Sequence, residues 1–262
     1  MGELIDLVDK VKKYGMFNPT ELVNVLVTVI VLAFVISFRD WGPGAAVDLK
    51  IGSINFLGAF FIVALSVLAH LSSQKITALR SGHIAEYRMW TFGLVFALVF
   101  AFLSRGYIWI LVSGGIMLHH LAGHRIGFWR YGISDLVIGL SALAGPSANI
   151  LLAIILRIIE NYWPSALLAK AIGFNVWYAV WSMLLIPPLD GNRVLFSSRL
   201  NYFFTFFFIL GAAIFLYLKI NIWISVLASL IIGALAWFVY YIFYEHGAWQ
   251  GPAPKNKWYT RN

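Results

Sequence analysis

Six stretches of 17 or more mostly apolar residues, at about 19–38, 53–72, 137–159, 165–188, 202–219 and 222–244, constrain this chain more than any other feature. A stretch of that length crosses a bilayer as a helix, and no soluble core could bury so many of them. Hydrophobic residues make up 61% of the chain and charged residues 11%. The expected fold class is therefore an all-α polytopic membrane protein with about six transmembrane helices. The first run follows a polar, charged stretch and lacks a small-residue cleavage site, so it reads as a span and not as a cleaved signal. No block is polar enough for a separate soluble domain. The division expected is an N-terminal segment 1–18, one membrane-embedded domain 19–244 and a tail 245–262. Residues 1–17 suit a short helix lying on the membrane surface.

The sequence contains no cysteine. Disulfides, thiol nucleophiles and cysteine zinc sites are excluded, which leaves His, Asp and Glu as metal ligands. The net charge of +8 is scattered through short loops. It reads as a topology signal, with the bilayer as partner and no nucleic acid.

Asp190, in Pro187-Pro188-Leu189-Asp190-Gly191, directly follows an apolar run. An ionisable group at membrane depth is costly and calls for a partner. His70 is the natural one. For the two to meet, the chain must cross an even number of times between them. Residues 137–159 and 165–188 supply two crossings, so 92–118 must re-enter with no net crossing. Its apolar parts, 92–103 and 107–118, are short enough for this, and 107–113 is rich in β-branched and aromatic residues, as a strand would be. This topology would place Lys10, Lys12, Lys13, Lys75, Arg80, Arg88, Arg125, Arg130, Arg193, Arg199, Lys255, Lys257 and Arg261 on the side of the termini. Arg39, Lys50, Arg157, Lys170 and Lys219 fall elsewhere, with Arg105 undecided. This bias favours a multi-pass cell-membrane protein with both termini cytoplasmic.

Three motifs together resemble the site-2 protease family of intramembrane zinc metallopeptidases, and an archaeal branch in particular. Leu143-Ala144-Gly145-Pro146-Ser147-Ala148-Asn149 is similar to that family's Ala-Gly-Pro-x-x-Asn. Pro187-Pro188-Leu189-Asp190-Gly191 is similar to its Pro-Leu-Asp-Gly, and His70 through Trp90 to its His-Glu-x-x-His-Lys and the stretch that follows. The resemblance covers about residues 50–200. It implies a site-2-protease-like core, zinc held by His70 and Asp190, and a client segment lying near Gly145, Pro146 and Asn149.

The chemical core departs from that pattern. Leu71 occupies the position of the general base, and Gln74 that of the second His. Leucine accepts no proton, and a neutral amide is a poor zinc ligand beside imidazole. One His and one Asp fall short of the three protein ligands of a catalytic zinc site. The expectation is a pseudoprotease that binds a transmembrane or extended membrane client, with no tightly held zinc. The alternative is an active zinc endopeptidase with a rearranged site, drawing on His119, His120 and His124. Against it, Leu121 follows His120, and the surrounding glycines suit a hairpin or loop.

Further residues have plain structural readings. Asp190 is read as pairing with His70 or with a cation such as Arg193. The other reading is that it retains an ion. Asn149 and Asn175 suit interhelical amide bonds, and Glu86 with Arg88 an ion pair outside the membrane. Glu86 as a relocated base is a remoter reading. Most Trp and Tyr are taken as interface anchors. A transporter or channel is disfavoured, because Asp190, His70 and Glu21 alone are too few polar groups for a permeation path.

Overall fold

A computed structural model describes residues 2–14, 16–42, 47–121 and 132–246. The helices are α1 (Gly2–Tyr14), α2 (Pro19–Ser37), α3 (Leu49–Arg80), α4 (Thr91–Leu103), α5 (Asp135–Tyr162), α6 (Ala166–Ser182), α7 (Asp190–Ser197), α8 (Arg199–Tyr217) and α9 (Ile222–Tyr240). A π-helical turn, Tyr241–Glu245, continues α9, and the strands are β1 (His83–Met89) and β2 (Gly114–His120). The chain is an all-α polytopic membrane protein. Helices α2, α3, α5, α8 and α9 with its π turn are each long and apolar enough to cross a bilayer. The run expected at 165–188 is helical only as far as Ser182. At 17 residues α6 is about 26 Å long.

Local chemistry sets the ends. Asn18 and Glu21 form a capping box at α2, with Pro19 at its first position. The Asp48 carboxylate accepts from the amides of Lys50 and Ile51 at the start of α3. Helix α3 runs ten residues beyond His70, well past its apolar stretch. The polar tail stays helical because its side chains find acceptors on neighbouring helices, as described below.

Antiparallel pairing puts His83 opposite His120 and Met89 opposite Gly114, so the chain enters and leaves the β1–α4–β2 region at one end. Its tip reaches the far end of α2, where the Arg39 guanidinium lies 3.8 Å over the Tyr107 ring. The sequence places a strand at 107–113, but the strand is Gly114–His120. The reason is burial: Ile110, Leu111, Val112 and Ser113 are all buried, with no alternation for a paired, two-faced strand. Irregular backbone at this depth is tolerated because protein surrounds it. Ser113 O accepts from Trp90 N (2.9 Å) and from Tyr87 Oη (3.0 Å).

Helices α3 and α5 are antiparallel, with Gln74 beside Ala142 and Ser66 beside Asn149. Helix α9 returns alongside α8, with the Tyr240 ring 4.1 Å from that of Phe203. The Pro19 end of α2, the mouth of the hairpin and the Tyr240 end of α9 thus share one end of the bundle.

Candidate functional site

His70 and Asp190 meet. His70 Nε2 lies 3.0 Å from Asp190 Oδ2, and the two residues are 3% and 1% exposed. Asp190 opens α7, where a carboxylate faces the positive end of the helix. The chain doubles back sharply before it: a Cβ on Gly191 would fall 2.0 Å from Met183 O. Only a glycine lets α7 start that close to the end of α6.

The imidazole is held from its other side as well. Asn175 Nδ2 donates to Ala171 O (2.9 Å), and Asn149 Nδ2 donates to Asn175 Oδ1 (2.8 Å). That leaves Asn149 Oδ1 to accept from His70 Nδ1–H, at 2.6 Å. The amide orientations follow from the network, and they fix the ring so that Nε2 faces the carboxylate. One proton joins Nε2 to Asp190. A Cβ on Gly145 would lie 2.3 Å from Nε2, so that glycine makes room for the ring. Asn149 and Asn175 thus link α5 and α6, as expected of Asn175 and as one of the two expectations for Asn149.

Pro146 lies inside α5 and has no N–H for the carbonyl four residues earlier, at Ala142. Gln74 Nε2 donates to that carbonyl at 3.2 Å, and Ser73 Oγ donates to Ala144 O at 2.8 Å. Gln74 therefore repairs the break that Pro146 makes. Leu71 is 1% exposed and packs in the main apolar core with Val67, Tyr87 and Tyr178.

Arg193 makes no ion pair with Asp190, whose hydrogen-bond partner is His70. Burial pushes the Arg193 guanidinium below its ordinary range, and the charge of Asp190 opposes that shift. His119 lies on β2 with Nε2 3.3 Å from Glu86 Oε2, and Arg88 stands 3.7 Å from the same oxygen. His120 lies across β1–β2 from His83, ring centroids 5.0 Å apart. Adjacent strand residues point to opposite faces, so His119 and His120 diverge. His124 lies outside the described residues.

Sequence reasoning missed two features. Tyr87 and Tyr178 are not interface anchors: each is 1% exposed. The Tyr178 ring lies 5.0 Å from that of His70, tilted 55° to it, and Tyr178 bonds Ser113 Oγ at 2.8 Å, while Tyr87 Oη bonds Thr28 Oγ1 at 2.9 Å. Lys75, counted above as a loop charge, is 5% exposed and pairs with Glu21, donating to Oε2 at 2.9 Å and lying 2.7 Å from Oε1. Lys75 Nζ also donates to Ala85 O (2.6 Å), while Glu21 Oε1 accepts from Tyr87 N (2.7 Å). This buried pair closes the outer edge of β1. The spacing of Lys75 from His70 on one helix was the only available signal.

The donors around His70 fit a catalytic zinc poorly. They offer one imidazole and one carboxylate already bonded to each other, and the oxygen of a neutral amide. Among the described residues, no group of three or more His, Asp or Glu side chains could hold a metal. Two buried oxygens there, Asp190 Oδ1 and Gln74 Oε1, have no hydrogen-bond partner.

A curated protein of Methanocaldococcus jannaschii, named "Putative zinc metalloprotease MJ0611", is 27% identical to this chain over 184 residues. The match covers 68% of this chain and 85% of the relative. No family model matches the chain. No solved structure matches it either. The chain is thus a membrane protein similar to one that carries a zinc metalloprotease name.

Proposed function

We propose that this chain is a site-2-protease-like membrane protein that has lost peptide-bond hydrolysis and instead holds a transmembrane or extended client segment. One observation carries the reading: Leu71, buried in the apolar core, stands where hydrolysis requires a proton acceptor. The side chains around it support the same reading. His70 Nε2 and Asp190 Oδ2 are bonded to each other, and the Gln74 amide nitrogen is engaged in mending α5. Gly145, Pro146 and Asn149 keep the packing that would receive a client, and here they serve to seat His70. The protein lies in the cell membrane with both termini on the cytoplasmic side.

The competing reading, a zinc endopeptidase with a rebuilt site, draws on the two unpartnered oxygens beside His70. Elemental analysis of the purified full chain separates the two, with Asp190→Asn as control. No stoichiometric zinc is the expected result. About one zinc per chain, lost in the Asp190→Asn variant, would overturn the proposal.

A further inference from the structure

At the end of the bundle away from the hairpin mouth, α5, α6 and the α8–α9 turn line an open cavity of about 520 Å³. Its wall is apolar, with Ile172, Val176 and Leu216, and its rim carries Arg157, Glu160 and Lys219. Two cations and one anion leave that rim with a net positive charge. Arg157 is 8% exposed and donates to Glu160 through Nη1. A guanidinium has five N–H donors, and this is the one hydrogen bond it makes among the described residues. Lys219 Nζ stands 3.9 Å from Glu160 Oε1, beyond hydrogen-bond reach, and its side chain is 66% exposed.

The backbone of Lys219 is a second, independent observation. Helix α8 ends in a Schellman turn, with Lys219 N bonded to Leu216 O and Ile220 N to Phe215 O, both at 3.3 Å. Lys219 occupies the left-handed position of that turn, at φ 58°. Glycine adopts this conformation freely, whereas a side chain strains it. The strained choice sets an ammonium group at the mouth of a cavity that already holds a buried guanidinium.

We propose that this cavity binds an anionic phospholipid of the adjoining leaflet. The phosphate meets the unused N–H groups of Arg157 and the ammonium of Lys219 beside the Glu160 carboxylate, and an acyl chain lies along Ile172, Val176 and Leu216. Charge complementarity selects the headgroup, and the apolar wall selects a lipid over a soluble phosphate.

The test uses the full chain in detergent, titrated with phosphatidylglycerol, phosphatidylcholine of the same acyl chains, and inorganic phosphate. Native mass spectrometry counts bound lipid, and thermal unfolding reports stabilisation. Retention of phosphatidylglycerol with a raised unfolding midpoint is expected, and neither other probe should do this. Lys219→Gly relieves the backbone, so it should keep or raise the lipid-free midpoint while weakening phosphatidylglycerol binding about fivefold. Equal retention of phosphatidylcholine, stabilisation by phosphate alone, or unchanged phosphatidylglycerol binding in Lys219→Gly would each overturn the proposal.

Discussion

The side-chain amide of Gln74 supplies Ala142 O with the hydrogen bond that Pro146, four residues further along α5, cannot make. Replacing Gln74 by Leu leaves that buried carbonyl bare, at a cost of about 1–3 kcal/mol. In a Pro146→Ala background the helix recovers its own N–H, and the same replacement should cost far less. A double-mutant cycle on detergent unfolding checks this.

His70 and Asp190 form one unit, so their losses should not add. Asp190→Asn and His70→Gln are each expected to destabilise the protein by about 3 kcal/mol. The combined variant should cost clearly less than the sum. Strict additivity, measured by the same unfolding assay, would mean that the two residues do not depend on one another.

Lys75→Met strands the Glu21 carboxylate in the interior, with an expected cost of about 3–5 kcal/mol. The damage should be local to β1. Hydrogen exchange at the Tyr87 amide, which donates to Glu21 at 2.7 Å, should speed up more than exchange along α5.

Leu71→Glu alone puts a carboxylate into the apolar core and should lower stability by several kcal/mol. Combined with Gln74→His it completes the motif that this chain lacks. The double variant should then show an unfolding midpoint that rises with added zinc, while the parent and the single variant show no such dependence.

Much of this could be read from the sequence. The apolar runs mark α2, α3, α5, α8 and α9, and the cost of burying Asp190 pointed to His70 across 120 positions of chain. The same constraint required 92–118 to turn back, and the pairing of His83 with His120 brings its two ends together. Other features depend on tertiary partners that no local pattern shows. Lys75 looks like a loop cation until α2 brings Glu21 to it, and Tyr87 and Tyr178 look like interface aromatics until Ser113 meets both. Gln74 and Pro146 each stood out alone, but their connection required the packing of α3 against α5. Strand β2 begins directly after the β-rich stretch because strand pairing follows the partner, and propensity only permits it.

The amides between Ala171 and His70 have a directional consequence. A carbonyl oxygen can only accept, so Ala171 O dictates which end of Asn175 faces it. Asn175 in turn orients Asn149, and Asn149 orients the imidazole. No member of the row can reverse by itself, because every reversal sets donor against donor or acceptor against acceptor. A main-chain group on α6 thus requires the ring nitrogen that a side chain on α3 turns towards α5 to carry a hydrogen, and three helices share a single polarity.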